Sequence, residues 1–447
     1  MVHTFAMHGV KLALDVESGA LHILDEPSFL AVQQLAAGTT RAEVEQELVK
    51  TYGGETVGQI LGEIAGLKEQ GLLFSAPRAI NSAGDGAVKA LCLHLAHDCN
   101  LRCQYCFAGS GHYGGDRGLM PLDVAKKAID FLLLASKGRK HCEVDFFGGE
   151  PLLNFDVLKE TVEYGHKRAL ETGKVLKFTV TTNALRIPAD MRDYLNQEEI
   201  SIVLSLDGRQ DVHDRMRKLP GGGGSWGKVL ENCKDVVAAR DGANYYLRGT
   251  YTRHNLDFVA DVEEMIKQGF QRISLEPAVL SPEAEESLRK EDLPQLFAEY
   301  EKLVKYLWDL EKQGKKVFFF HFELDIHQGP CAKKRSQGCG AGAAYLAVTP
   351  DGSLYPCHQF AGDANFYAGH VTSGILPGVL TEFTALDTTD KTICRDCFAR
   401  FFCGGGCHAA AWQMNGDLTV PYALGCDLHR KRVECGLYMQ AVRLLEK

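Results

Sequence analysis

Three cysteines stand at C-x3-C-x2-C spacing in His97-Asp98-Cys99-Asn100-Leu101-Arg102-Cys103-Gln104-Tyr105-Cys106-Phe107. Iron–sulfur clusters normally take four protein thiolates, so three can hold only three irons of a cubane and leave one iron open to a non-protein ligand. A zinc knuckle can show similar spacing, and His97 and His112 lie near, but a structural zinc site needs a well-placed fourth ligand that is missing here. A second group follows: Cys331, Cys339 and Cys357, then Cys394-x2-Cys397-x5-Cys403-x3-Cys407, then Cys426 and Cys435. Cys92, Cys142 and Cys233 fall singly on strand- or helix-like segments and read as small buried hydrophobes.

Those thiols need a compartment and a scaffold. The chain of 447 residues has room for two or three domains. Its 45% hydrophobic and 24% charged content is that of an ordinary globular protein. No apolar run approaches the length of a membrane span. The opening Met1-Val2-His3-Thr4-Phe5 lacks the basic and apolar regions of a signal peptide. A cytoplasmic location is therefore expected, where 15 cysteines argue for metal or cluster ligation rather than disulfides. A net charge of −9 argues against nucleic acid as the partner.

Residues 1–80 read as one unit. Val10–Val16 and Ala20–Leu24 alternate about the Ser18-Gly19 turn as a hairpin. Helical patterns follow at Pro27–Ala37, Thr40–Tyr52 and Thr56–Gln70; Thr40 and Glu43 have capping-box spacing, and Gly53 is a stop signal. A hairpin and three helices suggest a winged helix. The third helix carries one Lys and two Glu, which suits phosphate contact poorly, so peptide docking is favoured over DNA binding, with a structural cap as the other alternative. Ala76–Ala87 reads as a linker.

From 88 to 315 strands alternate with helices. The strand-like runs are Ala90–Ala96, Glu143–Phe147, Lys177–Thr182, Ser201–Leu206, Tyr245–Tyr251 and Arg272–Glu276. Helical segments such as Asp123–Ala135, Asp156–Glu171, Gly227–Arg240 and Phe258–Gln268 lie between them. The pattern implies an α/β fold with a parallel sheet wound in one sense, an incomplete (β/α)6 barrel with chemistry at the C-terminal strand ends. The candidate motifs gather there. Cys99 follows the first strand and Gly148-Gly149-Glu150-Pro151 the second. Thr182 and Asn183 end the third, Ser205 and Asp207 the fourth, and Glu276-Pro277 the sixth. Two glycines let backbone approach a ligand because no Cβ intervenes. Thr182, Asn183 and Ser205 offer polar contacts, and Arg215 or Arg217 could reach a carboxylate or serve as surface ion pairs. Gly221–Gly224 reads as a loop near the barrel mouth. A long helix at Leu293–Gln313 and an aromatic run at Val317–Phe322 lead into the second cysteine group, and Leu428–Leu445 reads as a C-terminal helix carrying Cys435.

The first cysteine motif, with aromatic residues Tyr105 and Phe107 flanking Cys106, resembles the radical S-adenosylmethionine (SAM) superfamily. That resemblance implies that the open iron chelates SAM and cleaves it to a 5′-deoxyadenosyl radical. It gives Gly148, Gly149 and Glu150 the ammonium of SAM, and makes Tyr105, Thr182, Asn183, Ser205 and Arg217 cofactor contacts. The second group resembles the SPASM domain: twelve residues separate Cys339 from Gly352 and four separate Gly352 from Cys357, before the C-x2-C-x5-C-x3-C run and a last cysteine. It implies two auxiliary [4Fe–4S] clusters, making three in all. Cys394, Cys397, Cys403 and Cys426 would hold the second; Cys339, Cys357 and Cys407 would hold the first, completed by Cys331 or left open for a substrate thiolate. Zinc ribbons are the alternative. Cys435 is expected to be a packed, free thiol.

Residues 1–80 resemble the PqqD-like recognition elements that bind precursor-peptide leaders by strand addition. Together the three regions, 1–80, 88–315 and 316–447, resemble the SCIFF (six-cysteine) peptide maturases, as do Leu12–Ala20 and Thr349–Phe360. The family implies thioether bonds between a cysteine sulfur and a carbon of an acceptor residue, commonly threonine, in a cysteine-rich ribosomal precursor peptide. A one-electron reductant such as ferredoxin or flavodoxin is also implied. A formylglycine-generating sulfatase maturase, a carbon–carbon crosslinking maturase, and a zinc-rich winged-helix binding protein are the alternatives.

Overall fold

Ala90–Ala96 (β4) carries no charged side chain and is buried at every position, the mark of a central parallel strand covered on both faces. The computed structural model, which describes residues 1–77, 86–326, 338–388 and 390–446, places it so. Cys331 and most of the expected linker lie outside the described residues.

The chain begins with a strand that the sequence reading lacked, β1 (Val2–Met7), paired antiparallel with β2 (Val10–Asp15), which pairs in turn with β3 (Leu21–Leu24). The expected hairpin is thus a three-stranded sheet. Helices α1 (Glu26–Ala36), α2 (Arg41–Tyr52) and α3 (Gly54–Glu69) follow, and Thr40 and Glu43 form the capping box that their spacing announced. The helices share a core of their own with Ala13. The other face of the sheet, with Phe5, Leu12, Leu14 and Val16, joins the main core instead. Residues 1–77 are therefore seated on the body of the molecule. The His3 ring stacks on Phe398 at 3.6 Å, and buried Glu17 accepts from the Arg400 guanidinium, both partners lying in the Cys397–Cys403 loop.

After β4 come the two-residue strand β5 (Arg102–Cys103), α4 (Leu122–Ala135), β6 (His141–Gly148), α5 (Phe155–Glu171), β7 (Val175–Thr182), α6 (Ala189–Gln197) and β8 (Ser201–Ser205). Next are α7 (Gln210–Met216), the short β9 (Arg217–Lys218), α8 (Trp226–Ala238), β10 (Tyr245–Tyr251), α9 (Val259–Lys267), β11 (Arg272–Pro277), α10 (Leu293–Lys312) and β12 (Phe318–Phe319). All six long strands foreseen in this region are present. They lie in the order β11-β10-β8-β7-β6-β4, parallel throughout. In β6 the side chains facing the helices (Cys142, Val144, Phe146) are buried, while the alternate set (Glu143, Asp145, Phe147) is partly open toward the barrel interior. The aromatic run ends as β12 plus a 3-10 turn at Phe320–Phe322 rather than a full strand.

The barrel sheet does not stop at β4. Strand β13 (Tyr345–Val348) pairs parallel with it, and β14 (Ser353–Tyr355), β15 (Gly369–His370) and β16 (Gly374–Ile375) continue antiparallel. The cysteine-rich third is thereby fixed to the first barrel strand, beside the first cysteine motif. It ends in short helices α11 (Thr381–Ala385), α12 (Thr392–Arg395), α13 (Arg400–Cys403) and α14 (His408–Asn415), then α15 (Ala423–Leu445). Cys92, Cys142, Cys233 and Cys435 are each 1% exposed or less, the packed thiols that were expected.

Candidate active site and thiol clusters

The loop that carries the first cysteine motif is held from four sides. Cys99 N–H donates to Asp98 Oδ1 at 2.8 Å, and the Cys99 sulfur accepts from Leu101 N–H at 3.4 Å. Strands β5 and β9 pair so that Cys103 faces Arg217 in register. Gln104 N–H donates to Met216 O at 2.9 Å. Asn183, at the end of β7, donates to Asn100 Oδ1 at 2.7 Å and lies 3.6 Å from the Cys99 sulfur. Burial, with Glu150 and the other two thiols, pushes the Cys99 thiol up to about 12; burial also pushes Cys103 up to about 11. Thiols so close that each raises its neighbour's pKa are a site for a positive ligand.

A cavity of about 330 Å³ opens over this loop. Cys99, Cys103, Tyr105, Cys106, Gly148, Gly149, Thr182, Asn183, Ser205 and Arg217 all line it. Of the residues singled out at the strand ends, Glu150, Asp207 and Arg215 are absent from the wall. The Glu150 carboxylate, 3% exposed, accepts from Thr182 Oγ1 (2.8 Å), Asn183 N–H (2.8 Å) and Leu152 N–H (3.1 Å). Burial raises its pKa to about 7 against those three donors. Glu150 thus braces the ends of β6 and β7 rather than facing a ligand. The paired glycines also have a reason other than the expected one. A Cβ on Gly148 would stand 2.3 Å from Ala96 O, and one on Gly149 2.2 Å from Asp98 O. What approaches them is the backbone leading into Cys99, bound through Gly149 N–H to Ala96 O and Glu150 N–H to Asp98 O, each 2.8 Å.

Tyr105 and Arg217 meet on a residue named only as a strand end. Asp207 Oδ2 accepts from the Tyr105 hydroxyl at 2.5 Å and from Arg217 Nε at 2.9 Å, while its Oδ1 accepts from Thr250 N–H at 2.9 Å. Burial opposes the charge on Arg217, but Asp207 more than offsets it and holds the guanidinium ionised. The remaining rim was not foreseen: Arg248, Thr250, His358 and Gln359 line the cavity, and so does Cys407. Glu276 stands there too, bound by Arg432 of α15 at 3.0 Å, with His321 at 3.5 Å. Burial works against the Glu276 charge, yet His321, Arg432 and Arg248 bring its pKa down to about 2. Arg248, Thr250, His358 and Gln359 escaped the sequence because their signal is a meeting of β10 and the C-terminal third, which no local spacing carries, whereas Glu276 and Cys407 had been singled out there. Arg215, the other arginine considered, is not on the wall.

The second cysteine group divides in space as it divides in spacing. Cys394, Cys397, Cys403 and Cys426 wall one small cavity of about 20 Å³, with Gly405, Gly406 and His429. Burial pushes Cys394 up to about 11 and Cys426 up to about 12, each helped by other thiols of the four. Burial, with Cys407 and Cys339 near it, pushes Cys357 up to about 12. Between the sets runs Cys403-Gly404-Gly405-Gly406-Cys407, its three glycines at φ of 71, 91 and 79°, where only glycine sits without strain. Among the described residues no three His, Cys, Asp or Glu side chains converge tightly enough for a single ion.

A profile of the radical SAM superfamily matches residues 93–260. That stretch of the chain is a radical SAM domain. Among curated relatives it is 21% identical over 380 residues to the radical SAM cyclopropyl synthase TigE of Paramaledivibacter caminithermalis, covering 79% of this chain and 75% of that one. It is 23% identical over 328 residues to the cysteine-type anaerobic sulfatase-maturating enzyme of Clostridium novyi, covering 69% and 85%. Among solved structures, native anSMEcpe with bound AdoMet superposes with a TM-score of 0.68 at 19% identity, over 80% of this chain and all of that one. Streptococcus suis SuiB bound to S-adenosylmethionine gives 0.54 at 16% identity over 95% and 98%. The fold is that of the radical SAM/SPASM peptide maturases, and the recognition made from the sequence is borne out at that level. SAM and one [4Fe–4S] cluster are implied by the superfamily. The first thiol loop fits them: three sulfurs on one wall, polar strand ends opposite, and free volume between.

Proposed function

We propose that this radical SAM protein is a peptide maturase of the six-cysteine kind, forming thioether crosslinks between a cysteine sulfur and a carbon of an acceptor residue, threonine in the first instance, in a cysteine-rich ribosomal precursor peptide. The observation that carries this reading is the single cavity whose wall includes both Cys99–Cys106 and Cys407. One space then serves a radical source and a second thiol-bound site, the arrangement needed to bring a carbon and a sulfur together.

On this reading Cys99, Cys103 and Cys106 hold a [4Fe–4S] cluster, Cys394, Cys397, Cys403 and Cys426 hold another, and Cys339, Cys357 and Cys407 a third that is open to the substrate thiolate. When bound, the first cluster and SAM supply the one-electron reductive cleavage that yields a 5′-deoxyadenosyl radical. The chain does the positioning. Asn183 and Glu150, the latter through Thr182, fix the cluster loop to the ends of β6 and β7, while Ser205 presents a hydroxyl to SAM. Asp207 orients Arg217 and Tyr105 at the cavity wall. Phe107, Phe147, Pro277 and Val279 share the wall with the polar groups, an apolar surface against which a peptide side chain can pack. In the crosslink the carbon would lose a hydrogen atom to that radical and the thiol a proton, and the one electron released would pass to an external acceptor, so the peptide would lose two hydrogens; the two cysteine sets would hold the groups able to carry that electron.

Residues 1–77 supply the leader site, since the three-stranded sheet ends in edge strands β1 and β3 and an extended peptide can add to such an edge. Support comes also from SuiB bound to its precursor peptide SuiA, a fold-level likeness with a TM-score of 0.53 over 95% of this chain. The sulfatase-maturase structure covers 80%. Anaerobic incubation with SAM, dithionite and a cysteine-rich precursor, followed by mass spectrometry, tests the reading. A loss of two hydrogens, with the bond mapped to a cysteine sulfur, is expected; SAM cleavage with the peptide unchanged, or a carbon–carbon bond, would overturn it.

A further inference from the structure

Lys391 is 2% exposed, among the most buried large side chains in the protein. Its ammonium donates to one neutral acceptor, Gly405 O, at 2.9 Å. Among the described residues no carboxylate forms an ion pair with it. A buried ammonium left unpaired is costly, and proteins compensate such charges. The groups whose charge reaches Lys391 are thiols: Cys394, Cys403 and Cys426 from the four-cysteine site, and Cys407 from the other. The acceptor Gly405 is the middle residue of the turn that joins Cys403 to Cys407. The lysine therefore stands between the two auxiliary sites, anchored to the backbone that links them.

We infer that Lys391 is the fixed counter-cation of the auxiliary clusters, a positioning residue that favours their loading and raises their reduction potentials. This rests on the reading of the two cysteine sets as [4Fe–4S] sites. A cluster closed by thiolates carries net negative charge, and reduction adds to it. A cation in a low-dielectric site beside it stabilises the more negative state and so raises the potential. The lysine's function is its position. The same reasoning predicts a reversal of sign. Without iron the ammonium lies buried opposite protonated thiols and burdens the fold; with iron it offsets the cluster charge.

The test uses the full chain carrying Cys99, Cys103 and Cys106→Ala, which isolates the auxiliary sites, with Lys391 intact, Lys391→Met or Lys391→Arg. Iron content, potentiometric titration followed by electron paramagnetic resonance, iron release to a chelator, and thermal melting with and without iron are measured. The Lys391→Met chain is expected to show lower midpoint potentials and iron release at least tenfold faster, with a higher melting temperature than its parent when iron-free and a lower one when loaded. Lys391→Arg should restore the potentials. Unchanged potentials and release rates in Lys391→Met would overturn the inference, as would a melting temperature that falls equally with and without iron. If the parent itself holds none of the roughly eight irons that two cubanes require, the cluster reading fails and takes this inference with it.

Discussion

The three-thiol and the four-thiol sites are built from the same atoms and do opposite things with space. Cys99, Cys103 and Cys106 face a cavity of about 330 Å³ whose far wall is made of strand ends bearing Thr182, Asn183, Ser205 and Arg217. Cys394, Cys397, Cys403 and Cys426 close around about 20 Å³, with no strand of the barrel on that wall. The first site lacks a protein ligand and gains room and polar groups in its place. The second has its full set of sulfurs and excludes everything else. Each is braced by a buried arginine–carboxylate pair, Arg217–Asp207 at the open site and Arg400–Glu17 at the closed one. An open site is suited to bind and transform a small molecule, a closed one to hold a charge or pass an electron.

The largest effect separates the two directly. Changing Cys99, Cys103 and Cys106 to alanine should reduce SAM cleavage to background and lower iron by about four per chain. Cys426→Ala should also cost iron but leave SAM cleavage measurable, with the peptide product reduced. Anaerobic assays of 5′-deoxyadenosine and peptide mass would read both, and equal loss of SAM cleavage in the two proteins would break the distinction.

The two bracing pairs sharpen it. Asp207→Ala leaves Arg217 buried without its carboxylate, and Arg400→Met removes the guanidinium from which Glu17 accepts. Breaking a buried pair by removing one partner costs about 3–5 kcal/mol, so both variants should lose stability by a similar amount in chemical denaturation. Only Asp207→Ala should also weaken SAM binding, by tenfold or more in calorimetry, because Tyr105 and Arg217 lose their common acceptor. Equal weakening by Arg400→Met would mean that the closed site reports on the open one.

Glycines distinguish the sites by what presses on them. Alanine at Gly149 puts a Cβ 2.2 Å from Asp98 O, a backbone atom that cannot yield without moving the Cys99 loop. Alanine at Gly405 meets the flexible end of Lys391 at 3.4 Å and pays chiefly for φ of +91°, about 1–2 kcal/mol. Gly149→Ala should abolish SAM binding, while Gly405→Ala should lower melting temperature by a few degrees with SAM binding intact.

How much of this could be read from the chain follows from where the information lies. β4, β10 and the capping box at Thr40 were legible because apolar runs and cap spacings are local. The division of the cysteines was legible for the same reason, since each ligand loop is a short run. β1 was missed because Val2–Met7 has no turn signal before it. Its partner at Val10–Asp15 makes it a strand. Glu150 was read as a ligand contact because its position is right; its direction depends on Thr182 and Asn183, 32 and 33 residues later. Asp207, Arg248, His358, Lys391 and Arg432 act through partners far away in sequence, and only the fold pairs them.

The smallest effect concerns one such pair, the hold of the C-terminal helix on the cavity rim. Glu276, its side chain 30% exposed, is bound by Arg432 of α15 and titrates at about 2, against 4.5 ordinarily. A carboxylate whose folded pKa is depressed contributes stability that is fully present above its unfolded value and is lost as pH falls toward the folded one. The stabilisation should therefore be complete above about pH 4.5 and vanish by about pH 2. Partial exposure screens it, leaving about 1–2 kcal/mol rather than the full value of the shift. Denaturation of Glu276→Gln at pH 7 and pH 3 should show a difference from the parent that narrows on acidification. The open site, with a rim tied to a distant helix, should feel the substitution in its SAM affinity, whereas the iron of the closed site should be indifferent to it at any one pH. A Glu276→Gln chain that loses iron from Cys394–Cys426 would show that the two sites share a support and are not independent.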